Sequence, residues 1–435
     1  MDMGFFLQDL SRMLSGSGGG SWDAAAQLAG SIATQGRPEQ NVDPMDRLAV
    51  EQLARGAELQ VQEVTGRGAD GSVRLEPLNR TQWARRFLDD ERHLLERLSG
   101  SLGNALQAQL GELEREMDED GGDPFAEAGI PGLPGMAGLP PEALIRQVMG
   151  MMGPMLLGMM AGSTAGHLAA PALGHYELPL PRPAGEPLTM VLGEFDAFAD
   201  EWSLPHDAIR LWVCLSDVAH HQVLNIPHVR RRLEELLEDY ASSFNDDVGD
   251  MERRMHELGI PDLLGSGEPD MAALQRLAGD PDILLGAMQS EHQRDLMPLI
   301  EALVSTIEGY VDHVLDTIGG RLLPEYVRVT EALRRRRVEF GPDGRFVERL
   351  FGLELRQATF DRGAAFVDGL VARAGADVLD QLWSDVEHLP TPAELAPRGL
   401  WLARVGLAAG DEDELPELDE PFEIPDFLDL GDDDA

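Results

Sequence analysis

Apolar side chains recur every three or four residues over much of the chain, which is the pattern of amphipathic helices. The clearest example runs from Pro205 to about Gln222, where Ala208, Leu211 and Leu215 share one helical face. Similar patterns predict further helices over 22–66 (broken near 36–44), 78–117, 228–244, 291–318 and 343–405. Short strands are expected within 176–192. The pattern predicts a mainly α chain, formally α+β, with a small sheet near the helix at 205–222.

Composition divides the chain into five parts. Residues 1–21 end in a run of Gly and Ser and predict a flexible N-terminus. Residues 22–117 predict an N-terminal helical region, and 118–141, rich in Gly and Pro, predicts a linker. Residues 142–408 form the main domain. The last part, 409–435, combines many acidic side chains with few apolar ones and predicts disorder.

The charge balance restricts the partners of the protein. The chain has 78 acidic and 35 basic residues, which gives a net charge of −43. Such a surface repels the phosphate backbone of nucleic acids, so we expect no nucleic-acid partner. The N-terminus lacks a basic region followed by an apolar stretch, so no signal peptide is predicted and a cytoplasmic location is expected. The single cysteine, Cys214, excludes an internal disulfide and predicts a small buried side chain.

One uncharged segment, 148–173, is long enough to cross a membrane. Its glycines at 158, 162 and 166 are spaced by four, which lets another helix approach closely. The polar side chains of Ser163, Thr164 and His167 do not suit a lipid-facing helix. We therefore interpret this segment as a buried helical hairpin and expect no contact with a membrane. A membrane-associated structural protein stays as an alternative.

The helix at 205–222 contains a degenerate zinc-protease motif. Residues 216–220 spell Ser-Asp-Val-Ala-His, whereas zinc proteases have His-Glu-x-x-His on such a helix. His220 keeps the second imidazole, but Ser216 replaces the first, and a serine hydroxyl is a poor zinc ligand at neutral pH. Asp217 replaces the glutamate that acts as general base, and its side chain is one methylene shorter. Catalytic zinc normally takes three protein ligands, so the motif predicts weak or absent zinc binding.

Further short motifs place this helix in a family context. They are Ser21-Trp22-Asp23, Tyr176-Glu177-Leu178-Pro179-Leu180-Pro181, Leu211-Trp212-Val213, Ile307-Glu308-Gly309-Tyr310-Val311-Asp312, Phe351-Gly352-Leu353-Glu354-Leu355, Gly363-Ala364-Ala365-Phe366 and Leu389-Pro390-Thr391. Over roughly 20–405 the chain resembles a family of actinobacterial zinc-dependent metalloproteases or hydrolases with a zincin-like fold. The resemblance implies a zincin-like domain over 142–408. It also implies His-Glu at 216–217 in relatives, Glu308 as the third zinc ligand and Asp312 as its orienting partner.

Two of these positions have competing interpretations. His220 is a metal ligand in one, and a polar residue hydrogen-bonded to a carboxylate such as Glu308 in the other, which we favour. We interpret His221 as a residue next to the ligands. Because Asp217 and His221 are also four residues apart, an alternative is that these two bind a metal ion in a displaced position. The basic run Arg334–Arg337 predicts a solvated helix end.

Three functions are compatible with these residues. The first is a catalytically impaired relative of a zinc metalloprotease that keeps its cleft for a peptide or protein partner. The second is a weak or altered zinc metallohydrolase that uses His220 and Glu308. The third is the membrane-associated structural protein suggested by 148–173. The first is our main hypothesis because two positions of the motif have changed.

Overall fold

The computed structural model describes residues 19–68, 73–103, 158–183, 185–244, 289–339, 342–395 and 399–407. Most of the predicted flexible N-terminus, the whole predicted linker at 118–141 and the predicted acidic tail at 409–435 lie outside these residues. The first ten residues of the uncharged segment 148–173 lie outside them as well.

The structure is mainly helical, as the apolar spacing predicted. In the first part of the chain the elements are α1 (Gly19–Thr34), α2 (Pro44–Thr65), β1 (Leu75–Leu78), α3 (Arg80–Asp90), α4 (residues 92–103), α5 (residues 158–169) and β2 (Leu188–Val191). They are followed by α6 (Leu192–Trp202), α7 (His206–Leu224), α8 (Pro227–Ser242), α9 (Glu291–Leu322), α10 (Tyr326–Val338), α11 (Pro342–Leu350) and α12 (Gln357–Ala374). Short helices end the described chain: Ala376–Val378, Leu379–Leu382, Val386–His388, Pro392–Glu394 and Leu400–Arg404.

Local sequence signals set several helix ends. The carboxylate of Asp43 accepts a hydrogen bond from the N–H of Met45 at 2.7 Å, and Pro44 occupies the first helical position of α2. The same helix ends at Gly66, whose φ of 64° lies in the left-handed region that glycine adopts without strain. Ser290 and Gln293 form a reciprocal capping box at the start of α9. These caps explain why the boundaries follow the sequence closely.

The two strands form a small parallel sheet, with Leu75 opposite Leu188 and Leu78 opposite Val191. All four residues of β2 are buried. Next to them, the thiol of Cys214 on α7 lies 3.6 Å from the sulfur of Met190 on β2. The sheet therefore lies against the motif helix, which confirms the predicted fold class. The sequence analysis did not predict β1.

Helix α5 packs closely against α1 through glycine. A Cβ atom added to Gly162 would lie 2.6 Å from the carbonyl oxygen of Ala25, and one added to Gly166 would lie 2.9 Å from that of Ala29. This is the close helix approach that the four-residue spacing of glycines predicted. Within the described part of the chain, no helix is both long and apolar enough to span a bilayer.

The long helix α9 occupies the middle of the molecule. It contacts α12 along one side and α7 along another, and α2, α8 and α10 also pack against it. Helix α7 in turn contacts α2, α6 and α10. Because these elements surround α7 and α9, the side chains that face each other across the two helices are buried. The site described next lies between them.

Candidate functional site

A cleft with a volume of about 70 Å³, open to solvent, lies between α7, α9, α10 and the loop before β2. Its apolar walls come from both halves of the described chain and include Leu173, Trp212, Leu333, Leu355 and Phe360. Its polar lining includes Tyr176, Glu177, Ser216, Asp217, His220, Glu308, Arg336 and Arg337. All three ligand positions that the family resemblance implies therefore border one cleft.

His220 is doubly hydrogen-bonded in this cleft. Its Nδ1 atom lies 2.9 Å from the carbonyl oxygen of Ser216, which can only accept, so Nδ1 carries a proton. Its Nε2 atom lies 3.2 Å from Oε1 of Glu308, within hydrogen-bonding distance. Burial alone would lower the pKa of His220, but the charge and hydrogen bond of Glu308 outweigh burial and raise it. The charge of Glu308 therefore favours the protonated form of His220.

Glu308 also faces an arginine from α10. The Nη1 atom of Arg337 lies 3.6 Å from Oε2 of Glu308. The same guanidinium group donates two hydrogen bonds to Asp312, at 2.9 Å to Oδ1 and 2.6 Å to Oδ2. Glu308 and Asp312 are only 6% and 5% exposed, so both carboxylates depend on these cations for compensation of their charge.

The prediction of a solvated helix end at Arg334–Arg337 is wrong for its last two members. Arg337 reaches the buried carboxylates of α9, and Arg336 donates a hydrogen bond to Glu177 at 2.9 Å. Both side chains are less than one-fifth exposed. The reason is tertiary: α10 packs against α7 and α9, so its last turn delivers guanidinium groups to the cleft rather than to solvent.

Asp217 is engaged by the backbone of a loop. Its Oδ2 atom accepts a hydrogen bond from the N–H of His175 at 2.8 Å, and its Oδ1 atom accepts one from that of Tyr176 at 3.1 Å. The loop approaches so closely that a Cβ added to Gly174 would lie 2.6 Å from Oδ2. Burial raises the pKa of Asp217 to about 7, although the two N–H donors act to lower it. The carboxylate thus fixes the loop against α7.

His221 has partners of its own. Its Nδ1 atom accepts a hydrogen bond from the side-chain amide of Asn225 at 2.9 Å and lies 3.1 Å from the hydroxyl oxygen of Tyr176. Burial, helped by the charge of Arg230, lowers the pKa of His221 to about 4, so the ring is neutral. Asp217 therefore contacts backbone N–H groups of the loop, whereas His221 contacts the hydroxyl of Tyr176 and the side chain of Asn225.

Tyr176 connects these residues. Its ring stacks on that of His220 at a centroid distance of 5.5 Å and an interplanar angle of 20°. Its hydroxyl reaches His221, and its backbone N–H binds Asp217. From the sequence, Tyr176 was only part of a motif with no predicted role, and neither Arg336 nor Arg337 was predicted to belong to the site. For Arg336 and Arg337, the one available signal in the sequence was a run of arginines in so acidic a chain.

Comparisons with known proteins place the chain in a family and show a related fold. The model of the zincin-like metallopeptidase family matches residues 21–402. The chain belongs to this family. A crystal structure from Chloroflexus aurantiacus, presented as a proposed hydrolase with a novel fold, shares the fold at a TM-score of 0.57 and 20% identity. That match covers 89% of this chain and 99% of the other. A comparison with curated proteins found no match.

Zinc binding is implied for relatives in the zincin-like family, so the residues of this chain can be tested against a zinc ion. They do not fit it. Ser216 brings a hydroxyl in place of an imidazole, the Nε2 atom of His220 faces Oε1 of Glu308 at 3.2 Å, and the other oxygen of Glu308 faces Arg337 at 3.6 Å. Across the described residues, no group of three or more His, Cys, Asp or Glu side chains is arranged to hold a metal ion.

Proposed function

We propose that this chain is a catalytically impaired member of the zincin-like metallopeptidase family that keeps its cleft to bind a peptide or a protein partner. One observation carries the proposal: an ion-paired cluster of His220, Glu308 and Arg337 occupies the region where relatives are expected to hold zinc. Two of the expected ligands are thereby in direct contact with each other.

The position of the general base supports the same proposal. A zinc peptidase needs a carboxylate that can take a proton from the attacking water. Both oxygens of Asp217 accept hydrogen bonds from backbone N–H groups of the loop at 175–176. A carboxylate held in this way has a structural role. If it turned away to take a proton from water, two buried N–H groups would lose their acceptor.

The lining of the cleft suits a peptide ligand. Peptide and small-molecule sites are mostly apolar, with a few polar groups that orient the ligand. Here Leu173, Trp212, Leu355 and Phe360 supply apolar surface, while Ser216 offers a hydroxyl near the floor. The Oγ atom of Ser216 makes a long hydrogen bond of 3.4 Å with Nδ1 of His220, in which Oγ can accept, so its O–H group can donate to a ligand carbonyl.

The proposal is tested by two measurements on the purified wild-type protein. A mixture of peptides is incubated with the protein and analysed for cleavage by mass spectrometry. Binding of retained peptides is then titrated through the fluorescence of Trp212, with Trp212→Phe as the control that removes the reporter in the cleft. We expect binding without cleavage. Zinc-dependent cleavage that is abolished by a chelator would contradict the proposal.

A second candidate, a weak metallohydrolase, is favoured by one contact. His220 and Glu308 lie on facing helices within 3.2 Å of each other, so two ligand positions are already adjacent. A metal ion there would have to come between Nε2 of His220 and Oε1 of Glu308, and it would have to separate Glu308 from Arg337. Retention of zinc by the wild-type protein would favour this candidate over the first.

A further inference from the structure

We infer that the guanidinium group of Arg337 has taken the place of a metal ion as the cation of this site, and that it keeps Glu308 and Asp312 from ligating one. This inference rests on the proposed loss of metal binding. It adds to that proposal the residue that excludes the metal ion, Arg337, which lies outside the motif at 216–220.

The guanidinium group of Arg337 contacts both buried carboxylates. Its two terminal nitrogens bind the two oxygens of Asp312 as a fork, and Nη1 also lies 3.6 Å from Oε2 of Glu308. Bidentate arginine–carboxylate pairs of this kind are both strong and specific in orientation. The centre of the guanidinium group lies 3.8 Å from the ring centroid of Phe360, which holds the plane in position.

Every oxygen of the two carboxylates has a nitrogen atom of another side chain as its neighbour. Oε1 of Glu308 faces Nε2 of His220 at 3.2 Å, and Oε2 faces Nη1 of Arg337 at 3.6 Å. Both oxygens of Asp312 accept hydrogen bonds from Arg337. An incoming divalent ion would therefore have to displace a guanidinium group from a buried site before it reached an oxygen.

The neighbouring arginines of α10 are paired mainly with other carboxylates. Arg336 binds Glu177, and Arg334 binds Asp316 at 3.0 Å while approaching Asp312 only to 3.4 Å. Glu308 and Asp312 are one turn apart on α9, so without Arg337 two buried carboxylates would repel each other. A divalent cation is the natural replacement for the lost charge.

The test is a titration with zinc and with cobalt(II), whose visible absorption reports coordination by the protein. Four proteins are compared: wild type, Arg337→Met, Arg337→Lys and Arg335→Met. Arg337→Met keeps an apolar stem against Phe360 and removes the charge, whereas Arg337→Lys keeps the charge. Arg335 is exposed on the same helix and pairs with Glu331 and Glu339, so its variant is the matched control.

We expect Arg337→Met to bind zinc at least about tenfold more tightly than wild type, which corresponds to about 1.4 kcal/mol. Arg337→Lys and Arg335→Met should stay within about threefold of wild type. An unchanged zinc affinity in a folded Arg337→Met protein, checked by circular dichroism and thermal melting, would overturn the inference. If neither wild type nor Arg337→Met binds zinc, the inference about Arg337 fails while the proposed function stands. An equivalent of zinc on wild type would instead contradict the proposed function.

A companion variant keeps the inference testable if Arg337→Met does not fold. Ser216→His restores the missing imidazole while Arg337 stays in place. Because Glu308 would still be shared between His220 and Arg337, we expect its zinc affinity to rise by less than about tenfold. Zinc that survives dialysis against a chelator on this single variant would show that Arg337 does not exclude the metal.

Discussion

Gly309, the residue after Glu308, lies against Gly363 of α12 so closely that a Cβ atom added to Gly309 would be 2.3 Å from the carbonyl carbon of Gly363. A Cβ added to Gly363 would be 1.9 Å from the carbonyl oxygen of Ser305. The backbones of α9 and α12 are therefore in contact at the turn that carries Glu308. Two of the short motifs that indicated the family meet at this point.

This contact predicts that Gly363→Ala destabilises the protein. The new methyl group has no space, so α12 must move away from α9, and overpacking of this kind costs roughly 2–3 kcal/mol of unfolding free energy. Gly320→Ala, later on α9, is the matched control because nothing lies within 4 Å of its added Cβ. It should be neutral or slightly stabilising. Urea denaturation of both variants checks the prediction, and equal midpoints would contradict it.

Asp217→Ala should destabilise the fold even though Asp217 stands at the position of a general base. The change leaves the buried N–H groups of His175 and Tyr176 without an acceptor, which we expect to cost roughly 3 kcal/mol. Asp207→Ala, an exposed aspartate in the first turn of α7, is the control and should change stability by less than about 1 kcal/mol. Thermal melting of the two proteins decides the matter. A melting temperature of Asp217→Ala equal to that of wild type would mean that the loop is held by other contacts.

Glu348 gives a prediction for the dependence of stability on pH. It is buried, and its Oε2 atom accepts a hydrogen bond from the N–H of Leu355 at 3.2 Å. Burial raises its pKa from an ordinary value of 4.5 to about 7, against the weaker lowering effects of that hydrogen bond and nearby arginines. The folded protein therefore binds this proton more tightly than the unfolded chain. The resulting stability is complete below pH 4.5 and is lost as the pH rises to 7.

Glu348→Gln should remove this component because a glutamine has no proton to lose and can still accept from Leu355. The unfolding free energy of wild type minus that of Glu348→Gln should fall by roughly 3 kcal/mol between pH 4.5 and 7. Exposed Glu339 provides the control variant, Glu339→Gln, for which this difference should stay flat. Denaturant titrations at four or five pH values suffice. A constant difference for Glu348→Gln would mean that this carboxyl is charged in the folded protein at pH 5.

The helices of the site could be predicted from sequence because their signals are local. The apolar spacing predicted a helix over 205–222, and α7 runs from His206 to Leu224. The helix predicted over 291–318 is α9, which begins one residue after its capping serine and ends at Leu322. Strand β1 was missed because its four residues include a proline and pair with a strand more than 100 residues later. Such pairing leaves no periodic trace in so short a segment.

The contents of the site were predictable only in part. The family pattern indicated that His220 and Glu308 belong together, and the structure contains the hydrogen bond between them. The roles of Arg337 and Tyr176 depend on how α10 and a loop pack against α7 and α9, and spacing within a helix carries no information about that. The backbone donors that engage Asp217 were equally invisible, because N–H groups occur at every residue but proline.

The ligand positions suggest how a zinc site could be restored with two substitutions. Ser216→His combined with Arg337→Met would supply two imidazoles and Glu308 without a competing guanidinium. We expect this double variant to bind zinc at least about 100-fold more tightly than wild type, and more tightly than the two single effects combined predict. Competition with a coloured chelator measures the affinity. Strictly additive single effects would show that Ser216 and Arg337 act on separate sites.

The most direct test of the account is the zinc content of the purified wild-type protein after dialysis against a mild chelator, measured by elemental analysis. The ion-paired arrangement of His220, Glu308 and Arg337 predicts far less than one equivalent of zinc per chain. One full equivalent retained by the folded protein would contradict the account.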